Sequence, residues 1–229
     1  QLVWVGPPPA ARRRASGAPG PGYWQQQADY VIDVELAQTN NRILGSETIT
    51  YHNNSKDTLD YLWMQLDQNL FDPKMMAHQS RTTSGLNDQS FNQFEGLLNA
   101  QKFDGGYKIT AVKDAAGKPL KHVIVQTMMR IIPPQPLKPG GKITFSVDWR
   151  VNIIDATKIR ARMGYEFFKE DKNHLYALAQ WFPRMCAYTD VTGWQNKQYL
   201  GTGRFALGFG EYLVRITAPA EHLVASTGE

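Results

Sequence analysis

Residues 143–153 read ITFSVDWRVNI, and the phase of this stretch decides the fold. Ile143, Phe145, Val147, Trp149, Val151 and Ile153 are apolar, and Thr144, Ser146, Asp148, Arg150 and Asn152 between them are polar. Strict two-residue alternation places the first set on one face of an extended strand and the second on the other. A helix would scatter the same residues around its circumference. The stretch is therefore a half-buried strand.

Working outward, residues 136–141 (PLKPGG) supply a Pro/Gly turn, and residues 122–132 predict a further strand before it. Near the start, Tyr30, Ile32, Val34 and Leu36 alternate with Asp33 and Glu35. Turn chemistry at residues 39–42 (TNNR) then leads into a second strand over 43–51, which makes a hairpin. Residues 53–55 (NNS) close it, and residues 59–66, apolar on both faces, predict a strand buried inside a sheet. Tyr212, Val214 and Ile216 alternate with Leu213, Arg215 and Thr217 in a last strand ended by Pro219. Between Pro73 and Gly105, the spacing of Met75, Met76, Phe91, Phe94, Leu97 and Leu98 is closer to helical and predicts an insertion with one or two short helices. Many short strands, regular turns and few helices predict an all-β domain, a saddle-like β-sandwich with a short helical insertion.

Residues 1–22 differ in kind. They carry Pro7, Pro8 and Pro9, the run Arg12-Arg13-Arg14, and a Gly/Pro-rich stretch, so they read as a flexible leader ahead of one β domain over residues 23–229. Hydrophobic residues make up 42% of the chain and charged residues 20%, enough apolar surface for a core and too little charge for wholesale disorder. The formal charge is +4, and part of it sits in the arginine run. With no aromatic residues interleaved, that run reads as a solvated tail and not as a nucleic-acid site. No apolar run approaches the ~18 residues of a membrane helix. The chain opens on Gln, not Met, so a processed or excised piece is expected.

Catalytic motifs are scarce. His52, His78, His122, His174 and His222 lie far apart, and none begins the HExxH that puts two zinc ligands on one helix face. There is no G-x-S-x-G elbow for a serine nucleophile. Cys186 has no cysteine to pair with, and its aromatic-rich surroundings predict a buried, inert thiol. Glu166 and Glu170 are the available pair for glycoside chemistry, which needs only spatial proximity. Residues 201–206 (GTGRFA) fit G-x-G-x-x-A in letters, but strand-like sequence follows where a dinucleotide site needs a helix. Asn53-Asn54-Ser55 is a glycosylation sequon. Residues 179–190 (AQWFPRMCAYTD) stand apart by crowding aromatic, amide, guanidinium and carboxylate groups between strands. They read either as a packed corner with Arg184 and Asp190 paired, or as a loop lining a cleft.

Three stretches together resemble the N-terminal domain of the aminopeptidase N and leukotriene hydrolase family of zinc metallopeptidases. Residues 30–55 (YVIDVELAQTNNRILGSETITYHNNS) are similar to its opening hairpin, and residues 136–153 (PLKPGGKITFSVDWRVNI) to its Pro-Gly turn and long strand. Residues 179–190, with 209–229 after them, resemble its TQ…R…FPCxDEP region and P…S-N-G ending. Two departures stand out: Val191-Thr192 follow Asp190 where the family has EP, and the chain stops where the family domain adds strands.

The resemblance implies a non-catalytic domain of an exported enzyme, periplasmic or cell-surface. It would pack on a catalytic domain further along the same polypeptide, carrying the HExxH and the zinc, and wall the cleft that takes the peptide substrate. It also implies one site residue: Gln180, matching a family side chain that holds the substrate's free α-amino group. Two places on, where the family often has a second such residue, this chain has Phe182. Gln180 could instead satisfy backbone groups at a strand end. No cofactor, nucleic-acid partner or integral membrane segment is expected in this chain itself. If the missing strands leave an edge open, the piece alone should self-associate or be markedly less stable than one extended by the next few strands. A different reading is a free-standing β-sandwich module that binds glycan or protein through its six Trp and ten Tyr; a scaffold or adhesion domain without a small ligand is a third. An HExxH downstream of residue 229 selects the first reading, and a nearby stop codon the second.

Overall fold

The structure is a computed structural model that describes residues 14, 16, 18–75, 95, 96, 98, 99, 102–201 and 206–228. Among these residues the architecture is all-β. A five-stranded sheet has the order β13-β1-β2-β7-β4. Its strands are β1 (Gln27–Ala37), β2 (Arg42–His52), β4 (Lys108–Asp114), β7 (Lys142–Asn152) and β13 (Tyr212–Thr217). A four-stranded sheet has the order β10-β3-β6-β5, from β3 (Leu62–Gln65), β5 (Lys121–Val125), β6 (Met128–Ile132) and β10 (Arg184–Met185). Two short hairpins complete it: β8 (Gly164–Phe168) with β9 (Asn173–Ala177), and β11 (Tyr188–Thr189) with β12 (Gly193–Trp194).

The long strand lies where its alternation placed it. Phe145, Val147, Trp149 and Val151 are buried, and β7 pairs antiparallel with β2 on one side and β4 on the other. The first hairpin holds as well. Tyr30, Ile32 and Val34 face the core, and the turn between β1 and β2 is made by a 3-10 turn, Gln38–Asn40, and Asn41 in the left-handed region. Both sheets contribute to one core, with Ile32, Ile49, Phe145 and Val147 from the first meeting Leu62, Met64, Met129 and Ile131 from the second. The buried middle strand is β3, flanked by β10 and β6, though it is shorter than residues 59–66; Leu59 forms an isolated bridge with Leu137 instead.

Residues 122–132 are not one strand. They form the hairpin β5–β6, whose tight turn places Gln126 at φ 58°. The turn carries none of the Gly, Asn or Asp that signal such a reversal, so the apolar run reads through it. The sequon is structural: Asn53 is fully buried, and its side-chain amide donates to the carbonyls of Asp57 and Leu137. Most of the expected helical insertion lies outside the described residues. Glu95, Gly96, Leu98, Asn99 and Lys102 are helical, and the Phe103 amide donates to the Asn99 carbonyl.

Gly45 shows how closely the sheet is packed. It sits opposite Trp149 across β2 and β7, and a Cβ there would overlap the indole. Gly45→Ala must displace a ring buried between two sheets. It is expected to lower stability by about 1–3 kcal/mol, as overpacking does. Urea denaturation of the two forms measures this.

Candidate functional site

The segment from Leu178 to Met185 leaves β9 and runs into β10. At its start Gln180 adopts φ 55°, a conformation that costs a residue with a Cβ on the order of 1–3 kcal/mol. Side chains from elsewhere hold it there. Gln68 Nε2 donates to the carbonyls of Ala179 (3.2 Å) and Gln180 (3.0 Å), and the Tyr107 hydroxyl donates to the Gln180 carbonyl (2.9 Å). Gln68 and Tyr107 are both buried. The segment's far end is held as firmly. Arg184 donates to the carboxylate of Asp67, and the Met185 amide donates to the Tyr30 hydroxyl at 2.9 Å.

Between these anchors lies a cavity of about 290 Å³, with Tyr30, Gln180, Trp181, Phe182, Arg184 and Tyr212 on its walls. Tyr30 and Tyr212 stack at 4.8 Å between ring centroids, and Phe182 meets each edge-on at 5.9 and 6.2 Å. Trp181 packs edge-on against Phe182 at 4.9 Å and tilts against Trp149 at 6.1 Å. Burial pushes the Tyr30 phenol well above its ordinary pKa, so it is neutral and can only exchange hydrogen bonds. Burial also raises Asp67, against the pull of the Arg184 guanidinium. The cavity therefore offers aromatic faces, one primary amide and one guanidinium already engaged by a carboxylate. Such a set binds and orients; it contains no poised nucleophile.

Gln180, the residue singled out in the sequence, thus stands on the cavity wall, and among the described residues no hydrogen bond holds its side-chain amide. Its backbone carbonyl is what takes part in local bonding. Asp67, on the 3-10 helix Asp67–Phe71, is a partner of Arg184 that the sequence did not suggest. Gln68, Tyr107 and Asp67 were not singled out, because they lie roughly 70 to 120 positions from the loop and no spacing links them to it.

The other candidates stay apart. Cys186 is 2% exposed, its thiol pushed up to about 12 by burial, with its sulfur 3.8 Å from Met128 Sδ; it is an inert core residue. His52 bonds Asp29, His122 bonds the Leu120 carbonyl, and His174 and His222 both bond Gln38. His78 lies outside the described residues, as do residues 202–205 of the GTGRFA stretch. Glu166 lies in β8, and Glu170 is exposed beyond the strand's end. Among the described residues no three His, Cys, Asp or Glu side chains gather as metal ligands. The zinc implied by the resemblance therefore has no ligand set in them. No helix among the described residues is long and apolar enough to cross a membrane.

No family model matches the chain, and no curated protein matches it. Solved structures do resemble it in fold at a low level. An M1 zinc metallopeptidase from Deinococcus radiodurans aligns at TM-score 0.45 and 12% identity, over 92% of this chain and 36% of that one. A mutant of it bound to a Tyr-Ser-Ala substrate aligns at TM-score 0.46 and 12% identity, over 91% and 36%. The chain thus spans about a third of the length of the structures it resembles.

Proposed function

We propose that this chain is the non-catalytic N-terminal β domain of an exported zinc aminopeptidase. Its loop from Leu178 to Met185 walls the substrate cleft, and Gln180 accepts a hydrogen bond from the peptide's free α-ammonium. The observation that carries the reading is the division of labour at Gln180. Its carbonyl is fixed by Gln68 and Tyr107, while its side-chain amide is uncommitted among the described residues and sits on the wall of the cavity. A pinned backbone with a spare acceptor is what terminus recognition requires, because an ordered acceptor loses little entropy on binding. The catalytic domain, with zinc and its ligands, would follow in the same polypeptide and close the other side of the cavity. Zinc held by that domain would supply the Lewis acid for peptide hydrolysis.

The test is made on the polypeptide extended downstream through any HExxH it encodes. Gln180→Ala is expected to raise KM for free-amine substrates by an amount worth about 1–3 kcal/mol, the cost of leaving a buried polar partner unmatched. N-acetylated substrates, which lack the ammonium, should be indifferent to the change. Equal kcat/KM in mutant and parent would remove Gln180 from the site. A stop codon close after residue 229, with glycan or peptide binding by the chain alone, would favour the free-standing binding module instead.

A further inference from the structure

Of the four non-glycine residues with left-handed backbone among the described residues, Asn41, Gln126, Lys172 and Gln180, two are glutamines, with Gln126 at φ 58° and Gln180 at φ 55°. Their carbonyls are captured by two residues adjacent to each other in sequence, Gln68 and Asn69. Gln68 Nε2 donates to the Gln180 carbonyl at 3.0 Å, and Asn69 Nδ2 donates to the Gln126 carbonyl at 2.7 Å. Asn69 also uses its other end, Oδ1, to accept from the Tyr107 amide at 2.8 Å, and Tyr107 is the second donor to Gln180. Asp67, the residue before, holds Arg184 at the end of the same loop. All three side chains are buried, although all three are polar.

We propose that Asp67-Gln68-Asn69 is the positioning element of the cavity, and that Gln68 acts as a positioning residue by holding Gln180 in its left-handed turn. Buried amides in a 3-10 helix are costly to desolvate unless each one is matched. Gln68 Oε1 and one oxygen of Asp67 have no hydrogen-bond partner among the described residues, and the side-chain bonds that are made go to the two ends of one loop, to the hairpin turn at Gln126 and to the Tyr107 amide. Gln180 prefers extended or helical backbone when free. Two donors on its carbonyl and one on that of Ala179 supply the opposing interaction. Without Gln68 the residue relaxes, its side chain leaves the cavity wall, and Trp181 and Phe182 follow. The inference takes its functional meaning from the reading of Gln180 given above, but its physical content does not depend on any substrate.

Hydrogen exchange on the unliganded chain tests it. In Gln68→Leu the amides of residues 179–182 are expected to exchange about tenfold faster, with those of β2 and β7 unchanged, as for a local opening. Gln68→Glu, which keeps the size but has no proton to donate once ionised, should behave as Gln68→Leu does at a pH where its carboxyl is charged. Gln180→Asn should restore protection in the Gln68→Leu background, because Asn populates the left-handed region more readily. If Gln68→Leu does not fold, two milder variants decide the matter. Tyr107→Phe removes one donor and should give a smaller acceleration at the same amides, and Gln180→Asn alone should slow exchange there. Unchanged exchange at 179–182, an equal increase across β2 and β7, or no rescue by Gln180→Asn would each overturn the proposal. Because no amine is present, a failure of Gln180 to bind substrate leaves this outcome untouched, and the reverse also holds.

Discussion

Arg184→Met is expected to destabilise the chain by about 3–5 kcal/mol, the cost of leaving a buried charge without its counter-ion. Asp67 is 1% exposed, one of its oxygens bonds Arg184, and the other has no partner among the described residues. With the guanidinium gone, the carboxylate loses the one hydrogen-bond partner it has among the described residues. The sign of the pH dependence follows. Burial already raises the Asp67 pKa, and Arg184 is the group that opposes this. In the variant the folded pKa rises further above that of the unfolded chain. The penalty is then absent below the ordinary aspartate value, about pH 4, and grows as pH rises. Removing both partners, as Arg184→Met with Asp67→Leu, should recover most of the loss, since a packed apolar pair often matches a buried ion pair. Denaturant titrations of the single and double variants at two pH values measure all of this. A loss below about 1 kcal/mol for Arg184→Met at neutral pH would mean that Asp67 is not held by this contact.

This pair also marks where sequence reading stopped. Strand phase was legible, because alternation is local: Ile143 to Ile153 and Tyr30 to Leu36 identify their own inner faces. Pairing order was not, since β13 lies parallel to β1 across nearly the whole chain. The β5–β6 turn was missed because Gln126 reaches left-handed backbone with help from Asn69, and nothing local announces it. Gln180 was singled out through a resemblance, while the groups that hold it sit on Asp67-Gln68-Asn69 and Tyr107, where no periodicity points. One signal was in plain view, however. In β2 the inward phase runs Ile43, Gly45, Glu47, Ile49, Tyr51, and a charged residue in the apolar phase of a central strand is informative in itself.

Glu47 accordingly supports the second large expectation: Glu47→Gln should make the chain more stable at neutral pH. The side chain is fully buried, flanked across the sheet by Ile32 and Val147, and neither of its oxygens has a hydrogen-bond partner among the described residues. Burial pushes its carboxyl well above the usual glutamate range. A carboxyl whose folded pKa is raised keeps its proton in the folded state while the unfolded chain releases it. The stability linked to that proton is fully present below the unfolded value, about pH 4.3, and is lost as pH climbs toward the folded one. Gln cannot ionise, so the variant lacks this loss. Parent and variant should match near pH 4 and diverge above it by about 1.4 kcal/mol per pH unit until the folded carboxyl ionises, with the variant ahead at pH 7. The same carboxyl lies within electrostatic reach of Tyr30, Tyr107 and Tyr212, two of them on the cavity wall and the third a donor to Gln180. Ionising it would therefore put a negative charge within reach of those three phenols. Alkaline pH should speed hydrogen exchange at residues 179–182 beyond the base-catalysed rate, and in Glu47→Gln that excess should vanish. A variant less stable than its parent at pH 7 would show instead that the carboxylate is matched in solution, and that the inward Glu is held in β2 as part of a polar network.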